Sequence, residues 1–231
     1  MDAAPVTPTA DYWQRWEQTS FGWKAAIEFL HPFGRDHADA FAPLEPLFAA
    51  LRALPGVEVP PVEWLHATWL HLGFLRADDL MWSQVETCYV GVAPRLRRVQ
   101  PRTMRLGGIA LIEDGRVTLG VDDGGLFREA RQQASIGVMK AREALRADAA
   151  MTPDGDTFVP TIDIAYLDAS ASSGAVAQAI EAYRTLAVAE ITPTHLMLAR
   201  VSTQPEQHFD TLDVIAEIPM LGEQHRAGYH N

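Results

Sequence analysis

Two hydrophobic periodicities take turns along the chain. Apolar runs of strand type occupy 21–30, 62–75, 103–112, 116–121, 158–167, 193–202 and 211–219. Over 39–54, 78–98, 125–147 and 173–188, apolar residues instead recur every three or four positions behind an Asp, Gly or Ser, the pattern of a helix with one buried face. The connecting stretches LPGVEVPP (54–61), EDGR (113–116) and TPDGDT (152–157) carry the Gly, Pro and Asp that turns require, and EDGR between two apolar runs predicts a β-hairpin. Strands interleaved with amphipathic helices predict an α+β fold of sheets covered by helices.

A strand bearing polar residues occurs once in each half, at 62–75 and at 158–167, which predicts two similar lobes within one domain over 13–221. Residues 1–12, rich in Pro, Ala and Thr, read as a flexible arm and 222–231 as a C-terminal tail.

In VEWLHATWLHLGF (62–74), a period of two puts Trp64, His66, Thr68, Leu70 and Leu72 on one strand face, with His71 on the other. An imidazole beside a hydroxyl on a rigid strand can move a proton near neutral pH while the hydroxyl holds a ligand oxygen. The tripeptide alone is common, and its weight comes from standing inside an apolar strand, where unpaired polar groups are costly.

Composition narrows the function. A net charge of −11 argues against broad attraction to polyanions, so no DNA binding is expected and any RNA contact must be local. The arginines in PRLRRVQPRTMR concentrate basic charge in an otherwise acidic chain; Arg102 or Arg105, entering a strand, is the candidate phosphate contact there. A single cysteine, Cys88, excludes a disulfide framework, and no apolar stretch approaches the roughly 20 residues of a bilayer span. With no basic leader before an apolar segment, a cytoplasmic protein without membrane contact is expected. Walker loops, dinucleotide fingerprints, zinc-ligand spacings and Gly-x-Ser-x-Gly elbows do not occur.

The segment WLHATWLHLGF (64–74) resembles the first motif of the 2H phosphoesterase superfamily, in particular the 2′-5′ RNA ligase or LigT-like proteins. PDGDTFVPTIDIAY (153–166) occupies the place of the second, matching its frame at Pro153, Asp154, Phe158, Pro160, Ile164, Ala165 and Tyr166. The resemblance implies a two-lobed fold of antiparallel sheets flanked by helices, with a central cleft lined by both motifs. It further implies acid/base chemistry on a 2′,3′-cyclic phosphate or 2′-5′ linkage, without metal or organic cofactor. A nucleotide or RNA end is the implied ligand, and the oligomeric state stays open.

Carried over position by position, the first motif is intact as His66 and Thr68, whereas the second has Thr161 for the histidine and Asp163 for the hydroxyl. An ionised Asp163 within about 4 Å of a phosphate oxygen would repel it by roughly 1–4 kcal/mol. Three readings follow: a divergent phosphodiester enzyme centred on His66, a binding module without turnover, or altered chemistry through a His66–Asp163 pair. The candidate catalytic residues are His66, Thr68, Thr161 and Asp163. Trp64, Tyr166, His195 and Arg105 are candidate substrate contacts, His195 doubling as a replacement acid.

Overall fold

The computed structural model describes residues 11–75, 80–137 and 158–222. The strands, in chain order, are β1 (Ala26–His31), β2 (Val57–Glu58), β3 (Ala67–Phe74), β4 (Met104–Ile112), β5 (Arg116–Asp122), β6 (Thr161–Leu167), β7 (Ala187–Ile191), β8 (His195–Ser202) and β9 (Thr211–Pro219). The helices are α1 (Tyr12–Ser20), α2 (Phe33–Asp36), α3 (Glu45–Arg52), α4 (Trp82–Leu96), α5 (Leu126–Gly137) and α6 (Ser173–Ile180).

Two antiparallel sheets form the lobes, one in the order β3-β1-β8-β9 and the other β2-β6-β5-β4-β7. The EDGR turn joins β4 to β5 as the hairpin its residues predict. Helices supply their apolar stripes to the outer faces: Val85, Cys88, Val92 and Leu96 of α4 are buried at spacings of three and four. Trp69 and Phe29 are fully buried with ring centroids 5.1 Å apart, each contributing about 2–3 kcal/mol of burial.

Tertiary context overrides the sequence pattern at several ends. The segment 39–54 splits into a 3-10 turn (Ala38–Leu44) and α3, because Pro43 and Pro46 remove backbone donors and Pro46 fits only a first helical turn. The helix expected over 173–188 stops at Ile180; Ala187–Ile191 instead pairs with the open edge of β4, where ladder bonds outweigh the helical preference of alanine. Asp11 and Tyr12, read above as the end of an arm, are the N-cap and first residue of α1, and the Asp11 carboxylate accepts from the Gln14 amide. Residues 138–147 of the third expected helix, and Pro153 and Asp154, lie outside the described residues.

One glycine fixes the approach to the first motif. The Gly34 amide in α2 donates to the Leu65 carbonyl at 2.7 Å, and a Cβ at position 34 would lie 1.6 Å from the Val62 carbonyl oxygen. Only glycine lets α2 lie so close to the turn 62–65 that delivers His66.

Candidate active site

Both motif strands are bulged, and one bulge in each, at Trp69 and at Ile164, decides which side chains meet. In β3, Thr68 pairs with Leu30 while Leu70 pairs with Phe29, so Trp69 is the extra residue. An inserted residue reverses the alternation beyond it. His71, expected on the opposite face from Thr68, therefore turns to the same side, and both reach Glu28 of β1: Thr68 Oγ1 donates to Oε2 at 2.5 Å and His71 Nδ1 lies 3.1 Å from Oε1. In β6, Asp163 pairs with Thr118 and Ala165 with Val117, which makes Ile164 the extra residue. Tyr166 thereby joins Thr161 and Asp163 on one face instead of Ala165.

His66, Thr68, Thr161, Asp163 and Tyr166 line one cavity of about 210 Å³ between the lobes, together with Phe158, Val159 and Arg116. His66 itself precedes β3, just after a 3-10 turn (Val62–Trp64). Its Nδ1 lies 2.5 Å from the Trp64 carbonyl oxygen. A carbonyl can only accept, so Nδ1 carries a proton, and in the neutral ring the lone pair is on Nε2.

Arg116 is the cavity residue that sequence reasoning missed. It stands on β5 opposite Tyr166, and its Nη1 donates to both Asp163 oxygens, at 3.0 and 3.2 Å. Its Nε donates to Asp114 Oδ2 at 2.8 Å, so one guanidinium bridges two carboxylates. The hairpin motif EDGR contained the signal, since a strand beginning with Arg must place that charge somewhere beside the neighbouring motif strand. Burial pushes the Asp163 carboxyl above its ordinary value; the Arg116 charge and the nearby His66 pull it back only in part. Glu28 goes the other way: burial would raise it, but the His71 bond and charge, the His66 charge and the Thr68 bond together hold it below the ordinary glutamate value.

Helix α1 packs against Tyr166 of the site, a contribution its position near the arm concealed. Tyr12 lies 4.6 Å, ring to ring, from Tyr166. Burial, reinforced by the Asp163 charge, raises both phenols and keeps them neutral. A wider recess of about 570 Å³ adjoins on the far side of Tyr166, walled by Trp13, Trp23 and His208.

Three expected substrate contacts fall elsewhere. Trp64 is buried among Leu30, Phe74 and Met197, and it serves the site through its carbonyl rather than by stacking. Arg105 is 72% exposed and paired with Glu190 at 3.0 Å, because the edge strand β7 docks beside it. His195 does not line the cavity; its Nε2 lies 3.0 Å from Asp36 Oδ2, in a group with His31 and His37. Among the described residues, no three or more His, Cys, Asp or Glu side chains are placed to hold a metal ion, and no helix is long and apolar enough to cross a membrane.

No family model matches the sequence, and no curated protein matches it. Solved structures do match in three dimensions. TT0787 of Thermus thermophilus aligns over 86% of this chain and 99% of its own with a TM-score of 0.62 at 20% identity. LigT of E. coli in complex with 3'-AMP aligns over 86% and 99% with a TM-score of 0.57 at 15% identity, and its complex with NADP+ over the same shares at 0.56 and 16%. At these identities the likeness establishes a shared fold: this chain has the LigT-like architecture of two antiparallel sheets flanked by helices.

Proposed function

We propose that this protein is a divergent 2H phosphoesterase-like enzyme acting on a phosphodiester or 2′,3′-cyclic phosphate of a nucleotide or RNA end. The observation that carries the reading is the fixed tautomer of His66: with Nδ1–H held by the Trp64 carbonyl, Nε2 is a ready base in a cavity shared by both motif strands. Nε2 takes the proton of the attacking hydroxyl or water. Asp163, whose carboxyl burial raises while the Arg116 charge pulls it back in part, is the candidate general acid for the leaving oxygen. The E. coli LigT structures with 3'-AMP and NADP+ support a nucleotide as the ligand class. The cavity takes the reacting group, and the recess beyond Tyr166 takes an attached base or second nucleotide.

The Arg116–Asp163 pair favours a second reading, a nucleotide-binding module without turnover, because Asp163, at the position of the usual hydroxyl, is held by Arg116 while Thr161 stands at that of the second histidine. Release of monophosphate from 2′,3′-cyclic nucleotides, compared between the parent and His66→Ala, separates the two. Turnover lost in the variant supports the enzyme. Nucleotide binding with no turnover in the parent over a broad panel supports the module.

A further inference from the structure

The recess of about 570 Å³ on the far side of Tyr166 is aromatic and acidic at once. Its rings come from segments far apart in the chain: Trp13 from α1, Trp23 from the turn before β1, and His208 from the loop between β8 and β9. Their planes are close to parallel, 19° between Trp13 and His208, 10° between Trp23 and His208, and 29° between Trp13 and Trp23. Glu58 of β2 fastens two of them, since its Oε2 accepts from Trp13 Nε1 at 2.8 Å and lies 2.5 Å from His208 Nδ1. A flat ligand entering here meets rings already aligned and tied together, with little left to order on binding.

Charge on the walls selects among flat ligands. Asp11, Glu17 and Asp168 stand around the rings with Glu58, and among the described residues no lysine or arginine lines the recess. Glu58 Oε1 and the Glu17 carboxylate have no hydrogen-bond partner among the described residues, so their charge faces the recess uncompensated by a donor. Such walls repel a phosphate and give a neutral base stacking alone. A ring with a positive charge gains stacking, the attraction of the indole faces for a cation and the pull of the carboxylates together. We infer that the recess is a cation-selective subsite for a flat, positively charged ring, the base of a nucleotide alkylated at a ring nitrogen. Tyr166 lines both the recess and the cavity, so the base sits on one side of it and the phosphate on the other; only this last placement rests on the proposed function.

Pairs of ligands alike in shape and different in charge isolate the effect. Calorimetric titration of the full chain near neutral pH with 1-methyladenosine against adenosine, and with 1-methylnicotinamide against nicotinamide, is the measurement. The parent is expected to bind each cation about tenfold or more tighter than its neutral counterpart, and added sodium chloride narrows the margin by screening the carboxylates. Glu17→Gln, an exposed substitution on α1, weakens the cations about threefold and leaves the neutral ligands unchanged, whereas Trp23→Leu weakens all four. Equal affinity within both pairs, no binding of either cation, or a margin that neither salt nor Glu17→Gln moves overturns the inference. Should Trp23→Leu fail to fold, the salt series and Glu17→Gln decide alone. The 2′,3′-cyclic phosphate of 1-methyladenosine binds at least as tightly as the nucleoside; weaker binding would mean that the recess takes a cation with no nucleotide attached, and overturns the assignment to a base. Turnover of cyclic nucleotides on the same samples reports on the enzyme reading separately: turnover without a charge margin sinks only this inference, and a charge margin without turnover sinks only the enzyme.

Discussion

Arg116 of β5 and Asp163 of β6 form the charge pair of the cavity, with Nη1 3.0 Å from Oδ2 and 3.2 Å from Oδ1. The guanidinium reaches diagonally, since Asp163 stands opposite Thr118 in the ladder and Arg116 opposite Tyr166. The carboxylate that would repel a phosphate is thus largely compensated, although Asp114 on the same guanidinium leaves the trio net negative.

Removing the cation isolates a buried carboxylate. Breaking a fully buried pair costs about 3–5 kcal/mol; with the two side chains 31% and 21% exposed, Arg116→Gln is expected to destabilise by about 2 kcal/mol. The shift in urea midpoint checks this, and Asp163→Asn in the Arg116→Gln background should recover part of it. A loss that the second substitution leaves untouched would mean that the Arg116 stem, and not the pair, carries the stability.

How far the sequence disclosed this site follows from one physical fact, that a period of two is reliable only while a strand is unbroken. The strands β3 and β6 were readable because apolar alternation marks both, whereas the convergence of His66, Thr68, Thr161 and Asp163 was implied only by the resemblance of the two motif frames. The partners Glu28 and Tyr12 were not, since nothing local to AIEFLH or to the first turn of α1 reveals what lies across a sheet or a cleft. The bulges at Trp69 and Ile164 carry no glycine of their own, so alternation alone puts His71 on the wrong face and separates Tyr166 from Asp163. Arg105 and His195 failed for a related reason: a polar residue at a strand end has several neighbours available, and β7 and Asp36 claimed these two.

Restoring the second motif should release the first. In Thr161→His with Asp163→Thr, a second imidazole enters the cavity and the Nη1 protons of Arg116 lose their carboxylate partner, freeing them for a phosphate oxygen. Turnover of 2′,3′-cyclic nucleotides is expected to rise by about tenfold or more, within the range of a single acid/base group. A folded double variant no faster than the parent would show that the cleft has diverged beyond these two positions.

Acid should weaken the fold through His31. This side chain is fully buried, its Nδ1 is 3.3 Å from the His195 carbonyl, and burial with the nearby charges of His37 and His195 lowers it to about 3 against the opposing pull of Asp36. A histidine lowered on folding is neutral in the native state while the unfolded chain binds a proton, so its stabilisation is complete above 6.5 and is lost as pH falls toward 3. Between pH 6.5 and 4.5 the loss attributable to His31 is about 2–3 kcal/mol. The window lies above the range in which Glu28, lowered on folding, begins to titrate. Denaturant midpoints across it should fall in the parent and fall less in His31→Asn; parallel curves would remove His31 as the cause.

The glycine beneath the turn that delivers His66 gives the most direct link between backbone and site. At Gly34 an added methyl would lie 1.6 Å from the Val62 carbonyl oxygen and 3.1 Å from Leu65 Cβ, so either α2 or the turn 62–65 must move. That turn supplies the Trp64 carbonyl that holds His66, so its displacement disturbs the imidazole as well as the local contacts. Gly34→Ala is therefore expected to lose about 3 kcal/mol, the upper end of overpacking, and to reduce turnover further than its unfolded fraction explains. Gly22→Ala is the matching control: with φ of +85° and no atom within 4 Å of the added methyl, it carries conformational strain of about 1 kcal/mol and no steric clash. Urea titration with assays at a temperature where both variants are folded separates the two effects. If the two substitutions cost the same, or Gly34→Ala keeps parental turnover per folded molecule, the close approach of α2 does not set the geometry of His66.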